Sequence, residues 1–230
     1  MSKVAVIFGG SGGIGQAICS EFTKQGIRVY STLYHKIATK QNPHEFHCDI
    51  TKNKDIKSVI SYVIKRESEI NIVINSVTPP LKLKTIENLS TKEFKQDIDT
   101  ILIGGINIAK VVIPLMKAQR GGLIINILSS LVLGNLSTRM SSYTSAKYGL
   151  LGFTKCLALE LLPFNISVFG ISPTFVETNL INAFPNKLIE MEKGKRKDRK
   201  LIQPMEVSKL ALHIVQNPKK YTTGENIEIN

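Results

Sequence analysis

The sequence predicts an α/β fold, a doubly wound parallel sheet of about seven strands with helices on both faces. Two observations predict it. Short apolar runs alternate with amphipathic stretches of helical period along the whole chain. The first of these runs, Val4 to Phe8 (VAVIF), leads directly into a glycine-rich turn, GGSGGIG, and then into a helical pattern. No internal repeat of solenoid period interrupts that alternation.

Taken in order, the strand candidates are Val4 to Phe8, Ile27 to Ser31, Glu45 to Cys48, Asn71 to Asn75, Leu123 to Leu128, Ile166 to Ile171 and Asn226 to Ile229. Their near-continuous apolar character suits strands covered on both faces. Between them the 3.6-residue period predicts helices over Ile14 to Gln25, Asp55 to Lys65, Thr91 to Met116, Tyr143 to Leu162 and, shorter, Glu206 to Val215. In such sheets ligands bind beyond the carboxyl ends of the strands. Gly9, Asn75, Ser129 and Pro173 all fall there, which predicts one shared site.

Composition agrees with one domain over 1–230. Hydrophobic residues make up 43% and charged residues 21%, the balance of a globular chain. Cys19, Cys48 and Cys156 are odd in number and lack metal-ligand spacing, so buried thiols in a reducing, cytoplasmic setting are expected and no metal site is. The first strand starts at once, leaving no room for a signal peptide, and no apolar run is expected to reach the length that spans a bilayer. Thirty Lys and Arg against eighteen Asp and Glu give +12, enough to attract polyanions. Aromatics are only 7%, tryptophan is missing and no nucleic-acid-reading motif occurs, so nucleic-acid binding is not favoured.

Two constellations carry chemistry. In GGSGGIG the glycines Gly9, Gly13 and Gly15 let the backbone turn sharply and approach a phosphate, aiming free N–H groups and the positive helix end at it. Ser11 and Ile14 belong to the same cradle. The second is Tyr143-Thr-Ser-Ala-Lys147, an i, i+4 pair on one helix face. A tyrosine with an ordinary pKa of about 10 is a poor acid–base group near neutrality. A neighbouring ammonium, helped by an oxidised nicotinamide, is expected to favour the phenolate. Alone, each pattern has a bland reading, a plain tight turn or an ordinary surface pair. Their order along the chain, with a strand ending in Ser129-Ser130 between them, favours a dinucleotide-dependent hydride-transfer enzyme.

From Lys3 to about Ile229 the chain resembles the classical short-chain dehydrogenase/reductase family, within which it is most similar to the 3-oxoacyl-(acyl-carrier-protein) reductases. The motifs that carry the resemblance are GGSGGIG, Asp49 in CDIT, NIVIN ending at Asn75, INILSS, YTSAK and SPTFVET, in that order. The resemblance implies a Rossmann-type fold, hydride transfer between NADPH and a carbonyl or alcohol, and assembly as a homotetramer or homodimer through the helices at 91–116 and 143–162. It implies a serine that polarises the carbonyl, Tyr143 as the proton carrier, and Lys147 as tuner of the tyrosine and ligand of the cofactor. Asp49 would hold the adenine, although an aspartate before Ile-Thr-Lys also suits a plain helix entry. Asn75, Ile171 and Thr178 would hold the nicotinamide. Counting along the strand from Gly122 and Asn126 puts the serine at Ser129, while counting thirteen back from Tyr143 puts it at Ser130. Ser129 is preferred, because a shift inside a buried strand turns every side chain over.

The segment after the second strand, Ser31-Thr32-Leu33-Tyr34-His35-Lys36, lacks the carboxylate with which NAD users guard the ribose. Leu33 stands about where that acid would be, and Thr32 with Lys36 could receive a 2′-phosphate, so NADP is preferred over NAD. Against this, Gly12 occupies a place where NADP users often carry a basic residue.

The chain also departs from the family. Phe8 replaces the usual threonine, Asn75-Ser76-Val77-Thr78 stands for Asn-Asn-Ala-Gly, Thr174 replaces a glycine, and Ile101 stands where a water-holding asparagine completes the usual tetrad. These departures keep an alternative open, a cofactor-binding sensor or scaffold with weakened catalysis. Gly104-Gly105 either weakens its helix or allows a close helix contact. Finally, 179–204 reads as a mobile substrate loop carrying six positive charges over Lys193 to Lys200. They form either a solvated surface or a lure for an anionic substrate such as an acyl carrier, a coenzyme A thioester or a phosphorylated sugar.

Overall fold

A computed structural model describes residues 2–34 and 44–230. Among these, seven strands form a single parallel sheet: β1 (Val4–Phe8), β2 (Arg28–Leu33), β3 (Glu45–His47), β4 (Ile72–Asn75), β5 (Gly122–Ile127), β6 (Ile166–Pro173) and β7 (Asn226–Ile229). Their order is β3-β2-β1-β4-β5-β6-β7. The order reverses between β1 and β4, where Phe8 pairs with Asn75, and a crevice opens at that reversal. The expected strands are all present, displaced at their ends by two residues or fewer.

The alternation within β1 shows why the sheet needs helices on both sides. Val4, Val6 and Phe8 point into one core, and Ala5 and Ile7 into the other, all of them fully buried. The first core is closed by α2 (Asn53–Glu67), α4 (Gly104–Gln119) and α5 (Ser141–Leu161), through residues such as Ile56, Val112 and Leu157. The second is closed by α1 (Gly13–Lys24) and α7 (Pro204–Gln216), through Ile18, Phe22, Val207 and Ala211. Tyr30 lies in the first core but sends its hydroxyl to Glu67 at 2.5 Å, satisfying its polar end.

The long helix expected over 91–116 is three pieces. After α3 (Thr91–Asp97), opened by a Ser90–Glu93 capping box, comes a π-helical segment, Ile98–Ile103, and then α4. Gly104 and Gly105 follow that change of pitch. A Cβ on Gly104 would lie 2.5 Å from Ile50 Cδ1, and one on Gly105 would lie 2.8 Å from Leu150 Cδ1. Close contact with neighbouring elements, rather than weakening of the helix, is what these glycines provide.

The same stretch corrects the expectation about bilayer-length segments. Thr91–Gln119 runs for 29 helical residues with a mean hydropathy of 1.7 in its most apolar window, enough by length and composition to cross a membrane. In this fold it covers the sheet instead. Ile108, Val112 and Met116 are buried in the first core, and Asn107 donates to the Ile50 carbonyl at 3.1 Å.

The 179–204 segment is also more ordered than a plain loop. It holds a short 3-10 turn at Asn179–Ala183 and the helix α6 (Asn186–Gly194), and it returns to the body through the Val176–Ile202 bridge.

Because Phe169 is fully buried within the second core, Phe169→Ala is expected to destabilise the protein by about 3–5 kcal/mol. Urea unfolding of the two proteins measures the difference. A loss under about 1 kcal/mol would contradict this account of the core.

Candidate active site

Gly9 leaves β1 with φ +86°, a conformation that only glycine adopts without strain. Its N–H donates to Thr32 Oγ1 at 3.3 Å, and the Gly10 N–H donates to the Thr32 carbonyl at 2.8 Å. Thr32 is buried, so it holds the turn from beneath. A Cβ on Gly15 would lie 2.1 Å from the Gly9 carbonyl oxygen, and one on Gly13 would lie 2.6 Å from Thr178 Cγ2. The packing therefore explains all three glycines. Helix α1 begins at Gly13 with Gly12 as N-cap, no side chain caps it and no acid stands in its first turn. Its leading N–H groups, next to Ser11 and facing a cleft, suit the pyrophosphate of a dinucleotide.

That cleft has a volume of about 1540 Å³ and lies over the carboxyl ends of the strands. Ser11, Gly13, Ile14, Thr178, Ser129 and Tyr143 all line it. Six of the residues singled out in the sequence thus line one cavity.

Tyr143 and Lys147 both face inward from α5, leaving only 8% and 1% of their surfaces exposed. The Ser129 side chain lies near the Tyr143 phenol and opposes the rise of its pKa. Ser129 is therefore the one of the two serines that meets the tyrosine, while Ser130 begins the 3-10 turn that follows. Lys147 Nζ donates to the Ile127 carbonyl at 2.7 Å and to Thr78 Oγ1 at 3.4 Å, and it lies 5.6 Å from the centre of the Tyr143 ring.

The electrostatics differ from the simple expectation. Burial pushes the Tyr143 phenol up to about 12, with Asp97 adding to the rise and Ser129 opposing it. Burial likewise pushes Lys147 down to about 7. The ammonium was expected to hold the phenol down. Among the chain's own groups, desolvation wins for both residues, and each shifts toward its neutral form.

Other expected residues support the site from outside the cavity wall. Asn75 Oδ1 accepts from the Val77 N–H at 3.2 Å, and its Nδ2 points to Asn126 Oδ1 at 3.4 Å. Asn126 in turn donates to Thr154 Oγ1 at 3.0 Å, a buried polar chain tying β4 and β5 to α5. Ile171 is fully buried in β6. Asp49 accepts from the Thr51 N–H at 3.0 Å and its hydroxyl at 2.7 Å, and pairs with Lys52 at 3.1 Å. Burial would raise its carboxyl, but the bonds from Thr51 and Lys52 outweigh that and hold it below the usual range. These bonds fit the helix-entry reading of Asp49. Lys36, offered as a phosphate ligand, lies outside the described residues.

Sequence reasoning missed Thr78 and Asn126. The signal for Asn126 was present, a lone amide inside the apolar run LIINIL. Thr78 had none, because only the folded chain brings it to Lys147. Ile101, in the place of the usual asparagine, is buried beside Tyr143, Ala146 and Leu150.

The burial of Lys147 makes a prediction about pH. Its folded-state value, about 7, lies below its ordinary 10.5, so between those limits the unfolded chain binds more protons there and stability rises with pH. The burial cost is fully present below pH 7. Urea midpoints should therefore climb from pH 7 to 9 more steeply in the unmutated protein than in Lys147→Met. Parallel slopes would contradict a buried, neutralised lysine. Above pH 9 the raised Cys48, and above 10 the raised Tyr143, bend the curve downward, since both keep their protons in the folded state.

Comparison with known proteins agrees with this geometry. A family model described as short chain dehydrogenase matches residues 3–188. The chain is 31% identical to a 3-oxoacyl-(acyl-carrier-protein) reductase of Buchnera aphidicola, with 99% of this chain and 96% of that protein covered. It is 30% identical to an NAD-dependent glycerol dehydrogenase of Listeria innocua, covering 99% and 92%. Among solved structures, ligand-free Thermoplasma acidophilum aldohexose dehydrogenase superposes with a TM-score of 0.88 at 25% identity, covering 99% of this chain and 92% of that one. A glycine turn that fits a dinucleotide, a serine–tyrosine–lysine group across the same cleft and a family match over most of the chain lead to one conclusion: the protein belongs to the short chain dehydrogenase family and is an oxidoreductase that uses a nicotinamide dinucleotide.

Proposed function

We propose that this protein uses NADPH to reduce the carbonyl of an acyl chain borne on an anionic carrier, of the acyl-carrier or coenzyme A thioester class. The observation that carries the reading is that Tyr143 and the glycine turn line the same cleft. Bound with its pyrophosphate over Gly13 and Ile14, the reduced cofactor supplies hydride to the carbonyl carbon. The Ser129 hydroxyl donates to the carbonyl oxygen and polarises it. Tyr143 then gives its proton to that oxygen as it gains charge, a step favoured by a phenol that stays protonated at neutral pH. Lys147, anchored on Ile127 and Thr78, orients the tyrosine and offers its remaining donor capacity to the cofactor ribose. Asn75, Ile171 and Thr178 would hold the nicotinamide, and Asp49 would hold the adenine.

The cleft supports the substrate class. Leu81, Leu131, Met140, Phe175 and Phe184 give it apolar walls, and Lys195, Arg196 and Lys197 stand at its rim. Arg196 is fixed by Glu206 at 2.9 Å and leaves its Nη1 without a hydrogen-bonding partner. This pairs a greasy acyl site with an entrance of mixed charge, where Lys195 also pairs with Glu192 at 2.6 Å and Arg196 with Asp198 at 3.4 Å. The absence of a carboxylate at Leu33 supports NADP over NAD. In this reading 1–230 acts as one catalytic unit with 179–204 as its substrate loop, in the cytoplasm, where Cys19, Cys48 and Cys156 remain thiols. It assembles as a homotetramer or homodimer through the outer faces of α4 and α5, where Tyr148, Leu159 and Leu162 are exposed.

With acetoacetyl-coenzyme A as probe, Tyr143→Phe should lower kcat/KM by on the order of 10³-fold while leaving NADPH affinity unchanged within about twofold. Retained turnover in Tyr143→Phe would remove the tyrosine from the reaction. Fluorescence titration with both cofactors should show tighter binding of NADPH. Equal or tighter NADH binding would overturn the cofactor assignment.

A further inference from the structure

Against the residue before Tyr143 lies an acidic group that neither the glycine turn nor the serine–tyrosine–lysine set includes. Asp97, the last residue of α3, is 3% exposed. Its Oδ2 accepts from the Ser142 hydroxyl at 2.5 Å, one residue before Tyr143 on α5. Its Oδ1 has no hydrogen-bonding partner and lies 3.5 Å from Lys82 Nζ. Lys82 also donates to Gln96 Oε1 at 2.8 Å. Two residues on, the Lys84 side chain pairs with Glu93 at 2.7 Å and its N–H donates to the Arg139 carbonyl at 3.1 Å, just ahead of α5. The 78–84 segment is thus strapped to α3 and to the amino end of the tyrosine helix. The same segment brings Leu81 to the cleft wall and Thr78 to Lys147.

We infer that Asp97 is a positioning residue, which clamps the amino end of the tyrosine helix to the cleft wall through Ser142 and Lys82 and holds an acidic group against the turn that carries Tyr143. The inference rests on the reading of Tyr143 as the proton carrier. Other charged groups do not duplicate it. Lys147 is the one ionisable neighbour on α5 itself, 5.6 Å from the ring. The π segment and the 3-10 turn after Ser129 meet the ring with Ile101, Leu131 and Val132, and Asp99 pairs outward with Lys95 at 2.8 Å. Across the open cleft, Glu192, Lys195, Arg196, Lys197 and Asp198 belong to the partly solvated rim.

The physical consequence follows from charge. A carboxylate close to a phenol disfavours the phenolate, so the tyrosine keeps its proton until the carbonyl oxygen takes it. Lys82 moderates that field, because it lies against the same carboxylate and is only partly exposed to water. Removing either partner must therefore move the phenol in opposite directions.

Tyrosine labelled with 13C at Cζ reports ionisation directly, and Tyr143→Phe identifies the Tyr143 signal among the six tyrosines. The full chain is titrated with NADP+ present and without substrate. Asp97→Asn keeps an acceptor for Ser142 while removing the charge, and should lower the Tyr143 midpoint by about one pH unit. Lys82→Met should raise it. Coincident midpoints in Asp97→Asn and the unmutated protein would overturn the inference. So would a fall in both variants, which is what mere loosening and hydration of the ring produces. Because the titration needs no turnover, failure of the proposed reaction and failure of the clamp are separate results.

Discussion

The contact between Gly15 and the carbonyl of Gly9 is the constraint on which the site depends. A single methyl group at Gly15 would come within 2.1 Å of that oxygen, so the chain can fold back from β1 into α1 only when the position is bare. The tight return places Gly12 at the helix start without a capping side chain, leaving the first N–H groups for an anion. It also brings Gly13 against Thr178, which arrives from beyond β6, at the far side of the sheet's switch point. One steric fact therefore links the phosphate cradle to the substrate side of the cleft.

The sheet converts that local geometry into a site. All seven strands run parallel, so every carboxyl end opens on the same edge. Ser129 follows β5, Thr78 follows β4, and α5 crosses behind them with Tyr143 and Lys147 on its inner face. Burial then governs their chemistry. A phenol and an amine removed from water both move toward neutrality, and the lysine directs its protons to a carbonyl and a hydroxyl instead of the phenol. The tyrosine keeps its proton near neutrality, the state that the proposed carbonyl reduction requires.

The departures from the usual pattern are absorbed by packing. Phe8, in place of a turn-steadying hydroxyl, fills the first core, and the Thr32 side chain bonds the Gly9 N–H from the neighbouring strand. Ile101 joins an apolar cluster around Tyr143, so the side of the ring that a polar residue would have wetted is dry. Asp97, four residues earlier, supplies the buried polar group of that wall and ties it to Ser142.

By itself the sequence determined the layers and the motif positions. Apolar runs of strand length separated by helical periods admit little but a two-faced parallel sheet, and VAVIF followed by GGSGGIG locates the phosphate turn without reference to any distant residue. The i, i+4 spacing of Tyr143 and Lys147 likewise fixes their common face. Tertiary structure decided what local spacing cannot encode. It brought Ser129 to the Tyr143 phenol, because a hydroxyl's neighbours depend on where two separate elements meet. It set a π segment inside the 91–116 stretch, just ahead of Gly104 and Gly105, which admit Ile50 and Leu150. It also moved the Tyr143 phenol up rather than down, because desolvation depends on everything packed around a group, and four residues of sequence do not carry that information.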